Sequence, residues 1–200
     1  MAHSGFHIGT FLLFVATVLL IISCISSPVT SSISLMKVSN GGSSVNFGTL
    51  GWCSGGCTNN RVGYDVAGEM AAVGVPAFSH GKAKTLNGLT NALILHEVAA
   101  GIAGIAFILA LLSHRIGFLL ASAVASLAWV VTLVAMAIDF SLFGSIKTHV
   151  HDAHNGAGAS FGVGTWTCLA AFIILFFATI TTCLACITGR RDKSRRTTAY

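Results

Sequence analysis

The chain has 200 residues, of which 54% are hydrophobic and 8% charged, with a formal net charge of +5. Soluble domains carry about 25% charged residues, so this composition excludes an ordinary water-soluble globule. Two prolines against 22 glycines exclude collagen-like and proline-rich disordered chains as well.

Residues 1–7 form a short N-terminus without Lys or Arg. The run 8–27 follows and carries no charge. A bilayer core takes roughly 20 apolar residues to cross. No clean A-x-A site follows this run, so an uncleaved first transmembrane helix is expected rather than a signal peptide. Three further runs meet the length requirement: 89–112 with Glu97 inside it, 116–140 with Asp139 at its end, and 163–188 without charge. None alternates as a spanning strand would, so the expected architecture is an all-α membrane bundle of four transmembrane helices.

The connections are unequal. Residues 28–88 make a long polar loop, 113–115 a tight turn, 141–162 a medium loop rich in Gly and His, and 189–200 a basic tail. The tail holds Arg190, Arg191, Lys193, Arg195 and Arg196, five of the eleven Lys and Arg residues. Cations cluster on the cytoplasmic side of helix ends, so both termini and the tight turn are expected inside, with both larger loops outside. A plasma-membrane location follows from this reading, with the tail against anionic inner-leaflet lipid. A cluster tethered to a span is not expected to bind nucleic acid.

The first outer loop reads as a small β-rich ectodomain. Residues 45–51 alternate with β-branched and aromatic positions, 33–38 offer a partner strand, and Asn40-Gly41-Gly42 offers the turn. A second, weaker strand pair is expected around 61–66. Cys53 and Cys57 face an oxidising medium in this topology, and their C-x3-C spacing can close a small disulfide ring. Zinc at these cysteines would need two more ligands at finger-like spacing, and the loop has none, so no metal site is expected. Trp52 is expected to pack over the bridge.

Few residues carry chemistry. Glu97 is the one acid deep in a span, and an intramembrane acid is a functional candidate by default. It is expected to pair with His96 or with a backbone or hydroxyl group, or to stay protonated. A channel or transporter using Glu97 is the reading from another functional class, although no proline breaks any span as transporter folds require. Asp139 is expected to cap or anchor the ectodomain. His149, His151 and His154 form H-x-H-x2-H on the second outer loop, where a pH response is physically open. Cys183 and Cys186 sit beside the basic tail, where S-palmitoylation occurs; packing is the plainer reading. Gly117, Ala121 and Ala125, and Ala100 and Gly104, form small-xxx-small faces for packing within the bundle, with a homo-oligomer face as the alternative. There is no Gly-x-Ser-x-Gly, P-loop lysine or His-Glu-x-x-His, and neither an enzymatic activity nor a cofactor is expected.

Several short motifs follow one another along the chain. His7-Ile8-Gly9-Thr10 opens the first run and Ser26-Ser27-Pro28 closes it. Then come Phe47-Gly48, Gly51-Trp52-Cys53, Cys57 and Gly63-Tyr64-Asp65. Ile138-Asp139-Phe140-Ser141-Leu142-Phe143 and Gly162-Val163-Gly164-Thr165-Trp166 follow. In this order the motifs resemble those of the fungal PalI-type proteins of the wider Sur/PalI membrane family, and the resemblance implies a claudin-like architecture. It also implies a role assisting or organising other integral membrane proteins, such as a seven-span receptor in ambient-pH signalling. PalI-type proteins often carry a long cytoplasmic extension, whereas this sequence ends at Tyr200. The Sur-type alternative, organising membrane microdomains or supporting cell-wall integrity, therefore stays open.

Overall fold

A computed structural model describes the chain except residues 1, 31, 113–116, 154–155 and 198–200, with side chains described outside 2–7, 117–119 and 185–197. In chain order the elements are α1 (Ala2–Cys24), β1 (Met36–Asn40), β2 (Ser43–Phe47), β3 (Trp52–Cys53), α2 (Val66–Ala72), α3 (His80–Ala92), α4 (Leu95–Leu112), α5 (Gly117–Asp152), β4 (Gly158–Phe161) and α6 (Val163–Thr197).

Helices α1, α4, α5 and α6 form the bundle, with α1 packed on α6 and α4, and α5 packed on the same two. The stretches His80–Leu112, Leu120–Asp152 and Val163–Leu184 are long and apolar enough to cross a membrane, and Ile8–Cys24 is a shorter apolar helix. Side-chain size is sorted by face. Ala16, Ala99, Ala103, Ala106, Ala121, Ala125, Ala171 and Ala178 are fully buried, while Phe11, Ile105, Leu127 and Phe177 are exposed. In lipid there is no hydrophobic drive to bring helices together, so close backbone approach through small residues does that work and the large side chains face outward. Hydroxyls within the helices are satisfied locally: Thr17 donates to the Leu13 carbonyl, Thr132 to Ala128 and Thr182 to Ala178.

One end of the bundle carries an antiparallel sheet in the order β3-β2-β1-β4. Asn40 pairs with Ser43, which leaves Gly41 and Gly42 as a two-residue turn, both at positive φ (54° and 95°). That is the backbone a tight hairpin requires, and glycine adopts it without strain. Under the sheet, Leu35, Val38, Val45 and Phe47 share one core with Val66 and Met70 of α2 and with Leu142, Phe143, Ile146 and Val150 of α5.

Several boundaries differ from those read in the sequence. The third apolar run ends near 140, but α5 continues to Asp152. Its 36 residues make a rod of about 54 Å at 1.5 Å per residue, well beyond a bilayer core of about 30 Å. Its last turns are the ectodomain's wall. The second outer loop shrinks accordingly, and its Gly158–Phe161 segment becomes β4, paired with β1 from Met36↔Phe161 to Ser39↔Gly158. The expected strand pair at 61–66 is replaced by turns, and Val66 begins α2. The strand expected at 33–38 is shifted to Met36–Asn40. The second run is not one helix from 89, because α3 stops at Ala92 and α4 starts at Leu95. The tight turn at 113–115 lies outside the described residues, and the tail side chains do too.

Candidate functional site

The motifs that stand apart in the sequence meet at one seam between bundle and sheet. Just beyond α1, the Ser27 amide donates to the Ile33 carbonyl at 2.9 Å. Ser26 Oγ accepts from the Thr49 amide at 3.1 Å. Gly48 lies directly on the Ser27 backbone, so a Cβ at 48 would overlap Ser27. Gly162 lies on the Ser34 backbone in the same way. The amides of Gly162 and Gly164 donate to the carbonyls of Leu35 and Ser34 at 2.7 and 2.9 Å. Thr165 Oγ1 donates to Leu35 at 2.8 Å. The glycines of Phe47-Gly48 and Gly162-Val163-Gly164 are thus contact residues where two backbones touch.

The aromatic members of the motif hold the ectodomain. Phe47 and Tyr64 stack with ring centroids 6.1 Å apart. Tyr64 Oη donates to the Gly48 carbonyl at 2.8 Å. Burial pushes the Tyr64 phenol up from its usual range, so it stays a donor. A Cβ at Gly63 would strike the Asn91 side chain, and one at Gly51 the Thr58 hydroxyl and the Pro28 ring. Trp52 pairs with Phe47 across β3 and β2 and packs on the ectodomain core. Cys53 and Cys57 form a disulfide. Asp65 caps α2 by accepting from the Gly68 amide at 3.0 Å, and accepts from Asn87 of α3 at 2.7 Å. The Gly68 and Asn87 hydrogen bonds hold its carboxyl below the usual range.

Immediately beneath the seam lies a buried polar group. His96 Nε2 is 3.0 Å from Asp139 Oδ2, and both side chains are fully buried. His96 Nδ1 is 3.0 Å from the Leu93 carbonyl. A carbonyl only accepts, so Nδ1 carries a hydrogen. Nε2 then faces a carboxylate oxygen, and that contact also needs a proton between the two atoms. Imidazolium with carboxylate and imidazole with carboxylic acid contain the same number of protons, and both pairs are neutral overall. The Cys168 thiol of α6 completes the cluster, with one donor atom from each of His96, Asp139 and Cys168 within 4.8 Å of the others.

The two acids lie at about the same height, at the sheet end of the bundle, because Glu97 follows His96 on α4 and His96 touches Asp139 of α5. Glu97 stands in the first turn of α4 and is half-buried as a residue, although both its carboxyl oxygens are buried with no hydrogen-bond partner among the described residues. Asp139 is mid-helix in α5 and completely buried. His96 therefore pairs with Asp139 and not with Glu97. The break at Leu93 and Ile94 places the Leu93 carbonyl against the His96 ring. The sequence missed Cys168 and the His96–Asp139 pair, because their partners lie on three different helices and no spacing rule connects them.

The two described histidines of the motif do not cluster. His149 and His151 lie on α5 rather than on a flexible loop, and two residues apart on a helix they point to different sides. His149 stacks on Phe78 with centroids 4.0 Å apart, and its Nε2 is 3.0 Å from the Pro76 carbonyl. His151 is exposed beside Asp152. His154 lies outside the described residues. Cys183 is turned toward α5, with Sγ 3.0 Å from Ser122 Oγ. The side chains of Cys186, Arg190, Arg191, Lys193, Arg195 and Arg196 are outside the described set. Ala121 and Ala125 do form a buried face, whereas on α4 the fully buried alanines are Ala99, Ala103, Ala106 and Ala110, not Ala100, and Gly104 is one step off that face.

Long apolar helices sorted small-inside and large-outside, crowned by a disulfide-bonded antiparallel sheet, define a multi-pass membrane protein with a small β domain at one end of its bundle. Residues 6–178 match the SUR7/PalI family, and the chain belongs to that family. No curated protein matches the chain.

Proposed function

We propose that the chain is a non-enzymatic plasma-membrane protein that assists or organises partner membrane proteins in ambient-pH response signalling. The observation that supports this reading best is the seam. The ectodomain is joined to the start of α6 by backbone hydrogen bonds and to the segment just beyond α1 by the Gly48–Ser27 contact and the Thr49–Ser26 hydrogen bond, so it is held as a fixed surface on the bundle. A presented surface suits a protein that holds or escorts another. The bundle interior, packed mainly with alanines and leucines among the described residues, favours this reading over a conducting pore through Glu97. Both termini are cytoplasmic in this proposal, and the partner is an integral membrane protein such as a seven-span pH receptor.

Deletion of the gene in its own host, followed by growth on alkaline medium and imaging of the pathway's receptor, tests it. Alkaline sensitivity with a mislocalised receptor is expected. Normal growth with normal receptor placement would overturn the proposal, and static cortical patches of a fluorescent fusion in such cells would favour the Sur-type organiser.

A further inference from the structure

We propose that His96, Asp139 and Cys168 form a binding site for a divalent metal ion of the zinc class at the junction of bundle and ectodomain. One donor atom of each lies within 4.8 Å of the other two, and all three side chains are fully buried. Imidazole nitrogen, carboxylate oxygen and thiolate sulfur are the donor types that zinc takes. Two observations go beyond proximity. His96 Nδ1 is engaged by the Leu93 carbonyl. That is the outer hydrogen bond that orients a metal-binding imidazole and leaves Nε2 as the ligand atom. Asp139 Oδ1 is buried with no hydrogen-bond partner among the described residues. A buried carboxylate oxygen without a donor is costly, and a cation would satisfy it.

Charge closes around the ion. Without metal, the His96–Asp139 pair with its shared proton and a neutral Cys168 thiol sum to zero. With metal, a 2+ ion, neutral imidazole, carboxylate and thiolate also sum to zero, and two protons leave. The interior of the bundle thus gains no net charge. Three protein donors leave a fourth tetrahedral position. Glu97 follows His96 on α4, and both its carboxyl oxygens are buried with no hydrogen-bond partner among the described residues.

The test uses the untagged full chain in lipid nanodiscs, stripped with chelator and then given zinc or cobalt ions alone. After removal of loosely held ion, about one zinc per chain is expected, with a thiolate-to-cobalt charge-transfer band in the cobalt form. Cys168→Ser should remove the band and lower retained zinc to below about a tenth. Cys183→Ser and the double variant His149→Ala/His151→Ala should retain both. A folded wild-type chain that keeps no stoichiometric metal overturns the proposal without reference to any variant. So does metal that is lost with the surface histidines and not with Cys168.

Discussion

His96 and Asp139 show what one buried residue can demand of another. Removing the imidazole with His96→Ala leaves Asp139 buried and unpaired, a loss of about 3–5 kcal/mol. Asp139→Asn keeps the shape and supplies an amide donor to Nε2, so the loss should stay near 1 kcal/mol. Unfolding midpoints of both variants in the same detergent, with chelator present, check the order; an equal loss in the two would refute the shared-proton account. Gly48 makes a different demand. Gly48→Ala drives a methyl group into the Ser27 backbone, which cannot rotate away. A destabilisation of about 3 kcal/mol is expected, read as loss of monodisperse protein on gel filtration. Gly41→Ala, in open space, should cost only the strain of its positive φ, about 1 kcal/mol. Phe47-Gly48 and Gly63-Tyr64 stood out in the sequence as motif residues. Why they must be glycine and aromatic was not legible there, because Ser27 and Asn91 are brought against them only by folding.

Among the elements, the disulfide and the α2–α3 pair set how firmly the ectodomain holds together. The Cys53–Cys57 ring is short, so the chain entropy it removes is modest, on the order of 2 kcal/mol. Cys53→Ser and Cys57→Ser should lower stability equally, and the double variant no further, since each single change already breaks the one bond. Asp65 ties α2 to α3 through Gly68 and Asn87. Its carboxyl titrates lower in the folded than in the unfolded chain. Its contribution is therefore present above the ordinary Asp value and is lost as pH falls through the lowered folded value. The protection of α2 amides, as exchange relative to the intrinsic rate at each pH, should fall in that acidic window, and Asp65→Ala should show the lower protection already at neutral pH. The Asn40-Gly41-Gly42 turn and the β1–β2 hairpin were legible, since a two-residue glycine turn dictates its own pairing. The strand β4 was not, because its partner β1 lies more than a hundred residues earlier in the chain.

At the scale of the molecule, orientation is the property most open to test. With the sheet outside and the basic tail inside, Gly81→Cys at an open position should react with a membrane-impermeant reagent in intact cells. Ser194→Cys should react only after permeabilisation. The opposite pattern would invert the topology and with it the reading of the ectodomain as a surface offered to partners. The seam gives a further expectation: Gly162→Ala, which intrudes on Ser34, should disturb bundle and ectodomain together, so that one cooperative transition is weakened by about 3 kcal/mol rather than one half melting alone.

Composition and run length by themselves determined that this is a membrane bundle with a small folded loop region. A bilayer rejects charge and unpaired backbone, so long uncharged runs have few other structures available. Tertiary structure alone decided that α5 rises past the membrane to wall the ectodomain, that Asp139 rather than Glu97 pairs with His96, and that His96, Asp139 and Cys168 meet. Those outcomes depend on which helices are neighbours and at what height, and side chains on α4, α5 and α6 acquire a common height only when the helices pack.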